Sequence, residues 1–212
     1  MTDGSPEELL RASVEREDDG LPRGVVERLP ALDPEALGLF YDAWFERVYG
    51  TVRRMVGEEH LAEDLTQDVF MRLQQAMRLY DPARPLSPWV LTIATNRVRD
   101  YWRSRRHQTA LREVALDDGE RPTPAVSKAP GPSGLLEGRE LGQRITRAVG
   151  ELPESMRVTL ILRYFEGLSF AAIGRIVDRN ETAVRKRYSR ALEALRASLG
   201  PELGPGGEGT VT

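Results

Sequence analysis

Few residues in this 212-residue chain could carry chemistry, and residue type alone removes most of the possibilities. There are no cysteines and two histidines, His60 and His107, which excludes disulfides, thiol nucleophiles and a Cys/His zinc site. Two adjacent carboxylate pairs, Glu63/Asp64 and Asp117/Asp118, are poorly suited to acid–base work. Neighbouring residues diverge on a helix, and the second pair lies in a stretch rich in Gly and Pro. No catalytic residue, metal site or cofactor is expected. What remains is cationic chemistry. The formal net charge of −3 conceals a segregation: residues 1 to 70 carry 17 Asp/Glu against 7 Arg, residues 96 to 112 carry 6 Arg against one Asp, and residues 170 to 196 carry 7 Arg/Lys against 3 Asp/Glu. Two separated basic patches on an otherwise acidic chain suit two contacts with a polyanion.

The second basic patch has an address. Ser169 caps a short apolar helix from Phe170 to Val177; a three-residue break, Asp178-Arg179-Asn180, follows, and then a long helix from Glu181 to about Leu199. This is the form of a helix-turn-helix, whose second helix enters the DNA major groove. Val184, Tyr188, Ala191, Leu192 and Leu195 recur at helical spacing and should face the core, which leaves Glu181, Thr182, Arg185, Lys186, Ser189 and Arg190 together on the outer face. Arg185 and Arg190 suit guanine or phosphate, Lys186 phosphate, and Glu181 cytosine N4. A helical hairpin with an ordinary solvated basic face would read the same way.

The first basic patch mixes aromatics with cations: Asn96, Arg97, Asp100, Tyr101, Trp102 and Arg103, then Arg105 and Arg106. Aromatic faces stack on unpaired bases while arginines follow the backbone, so this segment suits single-stranded DNA. Upstream, Ala62-Glu63-Asp64-Leu65-Thr66-Gln67-Asp68-Val69-Phe70 is too acidic to face phosphates and is expected to face a protein, with Phe70 exposed beside the acids.

These residues need elements to hold them. Asp33-Pro34-Glu35 starts a helix with Leu37, Phe40, Tyr41, Trp44, Val48, Val52 and Met55 inward, ending near Gly57. A second helix runs from about Glu59 to Leu79 with Leu61, Leu65, Val69, Leu73, Ala76 and Met77 inward. Ser87-Pro88 starts a third, whose stripe is Trp89, Ile93, Ala94, Val98 and Tyr101. From Gln108 to Gly134 the composition turns to Pro, Gly, Ser and acids and supports no packed element. Helical periodicity returns at Leu135, and Leu152-Pro153-Glu154 starts a helix bearing Met156, Val158, Leu160, Ile161 and Tyr164.

No strand pattern appears. The expected fold is all-α: two small helical domains, 33 to 107 and 135 to 199, joined by a flexible linker at 108 to 134. An acidic extension at 1 to 32, mobile or partly helical, precedes them, and a disordered tail at 200 to 212 follows. No run of about 18 apolar residues appears and no signal peptide is expected, so a cytoplasmic location is expected.

Three ordered stretches now resemble a known family: Ala62 to Phe70, Trp89-Val-Leu-Thr-Ile-Ala-Thr-Asn-Arg-Val-Arg-Asp-Tyr-Trp-Arg103, and Leu152-Pro-Glu with Leu168-Ser-Phe downstream. They are similar to bacterial RNA polymerase sigma factors of the extracytoplasmic-function class, residues 36 to 106 resembling region 2 and 137 to 197 region 4. The resemblance implies that Leu65, Thr66, Gln67, Asp68, Phe70 and Leu73 dock on the clamp helices of the polymerase's largest subunit. It implies that Asn96, Arg97, Asp100, Tyr101 and Arg103 lie on or near the surface that melts and reads the −10 element, and that Arg185, Lys186, Ser189 and Arg190 face the −35 element. Core polymerase, including the flap of its second-largest subunit, promoter DNA and an anti-sigma factor are the implied partners, with no small-molecule substrate. The other reading is a stand-alone helix-turn-helix regulator that binds an operator without polymerase. The chain departs from the family's pattern at the turn, where Asp178-Arg179-Asn180 replaces the usual Gly-apolar-Ser, and in its long linker and N-terminal extension.

Overall fold

A computed structural model describes residues 20–115 and 136–200, and among these no strand occurs. The N-terminal half contains α1 (Arg23–Arg28), a 3₁₀ turn (Leu29–Ala31), α2 (Pro34–Val56), α3 (Glu59–Ala76), a second 3₁₀ turn (Met77–Leu79) and α4 (Leu86–Ala115). The C-terminal half contains α5 (Leu136–Glu151), α6 (Glu154–Tyr164), α7 (Phe170–Val177) and α8 (Glu181–Leu199).

Local chemistry sets the ends of α2. The Asp33 carboxylate accepts from the Ala36 amide at 2.9 Å, Pro34 occupies the first turn, and Gly57 closes the helix in the left-handed region at φ 81°. Between them Ala36, Phe40, Trp44, Val48, Val52 and Met55 are buried at three-to-four spacing. They meet Leu65, Val69 and Leu73 of α3 and Val90, Leu91, Ala94 and Val98 of α4 in one core. Each fully buried large side chain contributes about 1.5–3 kcal/mol, and Trp44 is the largest of them.

Several sequence expectations shift here. Tyr41, placed inward with the α2 stripe, is 47% exposed. The α4 stripe turns by one residue: Leu86, Val90, Leu91, Ala94, Val98 and Trp102 are buried, whereas Trp89, Ile93 and Tyr101 are only half-buried. The α4 helix begins at Leu86 and continues past the basic run to Ala115, into the segment read as linker. The later half of the N-terminal extension is ordered against the core: Leu21, Val25, Val26 and Leu29 are buried, and Arg28 ties the turn by donating to Asp33 at 3.1 Å and Glu35 at 2.9 Å. The other half, the linker from 116 to 135 and the tail from 201 lie outside the described residues.

In the C-terminal half, Leu152, Leu160 and Ala191 form a small core with Val149, Met156, Tyr188, Leu192 and Leu195 around it. Tyr164, expected inward, is 71% exposed. The remaining apolar residues of this half, including Val158, Ile161, Leu162, Ile173, Ile176 and Val177, join the core of the first half, so the two domains pack on one another. Polar contacts reinforce that junction. Glu166, with a side chain only 4% exposed, accepts from Arg47 Nε at 2.8 Å and from the Thr51 hydroxyl. Arg157 donates to the Met55 carbonyl at 2.8 Å and to the Leu152 carbonyl at 3.0 Å, its guanidinium 5.8 Å from the Trp102 ring centre. Burial pulls the Arg157 pKa below its ordinary value, while Glu154 opposes that shift.

Candidate nucleic-acid interface

The helix-turn-helix forms as its caps require. Ser169 accepts from the Ala172 amide at 3.1 Å and starts α7; the Asn180 side chain accepts from the Ala183 amide at 2.8 Å and starts α8. Between them Asp178 takes the left-handed conformation at φ 54°, tolerated by Asp more readily than by most residues. Gly174 lets the turn close: a Cβ there would lie 2.5 Å from the Arg179 carbonyl oxygen. Asp178, Arg179 and Asn180 are all exposed, so the charged turn has no apolar anchor to bury.

On α8, Val184, Ala191 and Leu199 are buried, and Glu181, Thr182, Arg185, Lys186, Ser189 and Arg190 are all exposed on the outer face. Arg185 is held in place there. Its Nε donates to Glu181 at 2.9 Å and its guanidinium lies 4.6 Å from the Phe170 ring centre. A side chain fixed on both sides loses less rotamer freedom when it reaches a base edge or phosphate.

The α4 patch is more constrained than its sequence suggests. Asn96 and Arg103 are exposed, but Arg97 is only 20% exposed and donates through Nε to Asp68 of α3 at 2.8 Å. Asp100 lies 3.4 Å from Arg72 and 3.8 Å from Arg103. Tyr101 is half-buried. The two surfaces that the sequence reading kept apart are therefore joined by the Arg97–Asp68 pair.

On α3, the six residues expected to dock on polymerase differ in exposure. Leu65, Thr66 and Leu73 are buried at 1%, 0% and 1% exposure, Leu65 and Leu73 within the apolar core. Gln67 is exposed and Asp68 is partly exposed. Phe70, expected exposed, is half-buried in an aromatic cluster, its ring centre 4.9 Å from Tyr41 and 5.8 Å from Phe45. Sequence reading missed this cluster, although Tyr41, Phe45 and Tyr49 at i, i+4 and i+8 were its signal. Among the described residues no group of three or more His, Cys, Asp or Glu could hold a metal ion, and no helix is long and apolar enough to cross a membrane.

Two helical domains, each presenting a cationic helix face and one of them a helix-turn-helix, define a two-domain DNA-binding protein. Comparison with known proteins is specific on this point. Residues 40–108 match the family model for sigma-70 region 2, and residues 142–195 that for sigma-70 region 4. The chain is 31% identical over 169 residues to the ECF RNA polymerase sigma factor SigW of Bacillus subtilis, covering 79% of this chain and 90% of that protein. It is 34% identical over 154 residues to the RNA polymerase sigma factor CarQ of Myxococcus xanthus, covering 73% of this chain and 83% of that one. Two solved structures share its fold. One is CnrH in complex with the cytosolic domain of CnrY, at 20% identity and a TM-score of 0.60, covering 84% of this chain and 96% of that chain. The other is the sigma factor RpoE in complex with the anti-sigma factor NepR from Bartonella quintana, at 23% identity and a TM-score of 0.59, covering 76% of this chain and 95% of that chain. The chain belongs to the sigma-70 family of RNA polymerase sigma factors, in the ECF class.

Proposed function

We propose that this chain joins core RNA polymerase in the cytoplasm, directs it to promoters and helps to open the −10 region, catalysing nothing itself. The observation that carries the reading is the outer face of α8: Glu181, Thr182, Arg185, Lys186, Ser189 and Arg190 are exposed together on the second helix of a helix-turn-helix, within the segment matched as region 4. That face reads the −35 element in the major groove, Arg185 and Arg190 on guanine or phosphate and Lys186 on phosphate. On α4, Asn96 and Arg103 meet the −10 strand, with Tyr101 beside them. Arg97 and Asp100 act at the same place but already hold intramolecular partners, so they set the shape of the surface as much as they touch DNA.

The polymerase-docking surface is Gln67, Asp68 and Phe70, widened by Tyr41 and Phe45. An exposed aromatic edge beside acidic side chains has the composition of a protein interface rather than of a phosphate contact. An anti-sigma factor, such as the one bound to RpoE in its complex with NepR, would act by covering these surfaces.

The test is in vitro transcription with the purified chain, core polymerase lacking any sigma factor, and a promoter library. Discrete start sites that appear only with the protein, preceded by shared motifs near −35 and −10, are the expected result. Tight operator binding with no programming of the core would make it a stand-alone regulator instead.

A further inference from the structure

Where the two domains close on each other, α4, α6 and the helix-turn-helix line a half-open cavity of about 220 Å³. Five arginines line it: Arg99, Arg103 and Arg106 from α4, Arg179 from the turn and Arg187 from α8. The one carboxylate in the lining, Glu154, already bonds Arg106. Neither Arg99 nor Arg187 has a carboxylate partner among the described residues, and Arg103 reaches Asp100 only at 3.8 Å. Burial, and after it the charges of Arg179 and Arg99, pull the Arg187 pKa below its ordinary value. Like charges gathered in a partly enclosed space repel unless an anion sits among them. Guanidinium forks from several directions match the oxygens of phosphate.

We propose that this cavity binds a polyvalent phosphate anion of diphosphate size, free or carried by a nucleotide, and does so only while the two domains are closed. Pockets for drug-sized ligands run to about 300–1,000 Å³, so this smaller space takes the phosphates and leaves any nucleoside at its mouth. Because three of the arginines come from one domain and two from the other, the bound anion stabilises the closed arrangement over any open one. Anion binding requires neither polymerase nor promoter, so it stands or falls separately from the proposed function.

The test is calorimetric titration of the full chain with inorganic pyrophosphate, without divalent cations, against sulfate at matched ionic strength. One site per chain is expected, at least about tenfold tighter for pyrophosphate. Arg99→Gln and Arg187→Gln should each weaken it by at least about tenfold, whereas Arg196→Gln, exposed farther along α8, should leave it unchanged. Adenosine diphosphate distinguishes the sources: binding comparable to pyrophosphate, with none by adenosine, identifies a nucleotide-borne phosphate, and binding of pyrophosphate alone identifies the free anion. Pyrophosphate binding no tighter than sulfate, or unaltered in the Arg99→Gln/Arg187→Gln double variant, would overturn the proposal. So would a single-stranded oligonucleotide that needs both arginines and is not displaced by pyrophosphate, because the arginines would then be ordinary strand contacts.

Discussion

Arg185 stands between Glu181 and the Phe170 ring, with its side chain still 60% exposed. If it is bidentate to a guanine, Arg185→Ala costs about 1–3 kcal/mol of −35 recognition, concentrated at one base position. Binding measured across a set of single-base −35 variants checks this; an equal loss on every sequence would make Arg185 a phosphate contact. Thr66 leads to the opposite kind of prediction. Its hydroxyl is buried with no hydrogen-bond partner among the described residues, so Thr66→Val removes a desolvated polar group and keeps the shape. Stability should hold or rise by up to about 1 kcal/mol, and affinity for core polymerase should not change; weaker binding would restore Thr66 to the docking surface. The contrast shows what the sequence can disclose about single residues. The outer face of α8 was legible because its periodicity is internal to one helix. The burial of Thr66 and the Arg97–Asp68 pair were not, because they depend on how a second helix is placed against the first.

Element boundaries were legible wherever a cap residue marks them: Asp33 before α2, Gly57 after it, Ser169 before α7 and Asn180 before α8. The α4 helix has no such mark at its far end, and its basic run continues the helix instead of ending it. Its stripe was misplaced by one residue because Tyr101 and Trp102 are adjacent and both apolar, and only packing against other elements selects Trp102 for burial. Gly174 shows how much a single position can decide for an element. A methyl group there would press on the Arg179 carbonyl oxygen at 2.5 Å, a backbone atom that cannot swing aside. Gly174→Ala gains about 1 kcal/mol of helix propensity but forces the turn apart, and overpacking of this kind costs about 1–3 kcal/mol. A net fall in Tm is expected, at roughly 2–4 °C per kcal/mol for a chain of this size, together with weaker −35 binding. A variant that melts like the parent would mean the turn can shift without penalty.

At the scale of the whole molecule, two domains were expected, but not that they would share a core. Nothing in sequence spacing brings Glu166 to Arg47 and Thr51, more than a hundred residues away. With α4 on the −10 element and α8 on the −35 element, as proposed above, the closed form is not the one that works on a promoter. The −35 and −10 positions lie about 25 base pairs apart, which is about 85 Å along B-form DNA, while α4 and α7 here touch one another. Twenty residues separate Ala115 from Leu136, enough for about 70 Å at full extension; with the span of the two domains added, the chain has the length to open. Glu166 is one polar latch against opening, beside Arg157 on the Met55 carbonyl and Arg106 on Glu154. Glu166→Ala removes two hydrogen bonds to one carboxylate, each worth about 1.5–3 kcal/mol when an ion takes part. The lower end applies, because Arg47 keeps its bond to Ser87 Oγ at 2.8 Å and is partly solvated. A shift of roughly tenfold or more from closed to open follows. Small-angle scattering should then show a larger radius of gyration, and association with core polymerase should quicken. If the variant stays as compact as the parent and binds core at the same rate, then the apolar contact through Val158, Ile161, Ile173 and Val177, with the Arg157–Met55 and Arg106–Glu154 bridges, holds the domains closed without Glu166, and only a partner or DNA supplies enough free energy to part them.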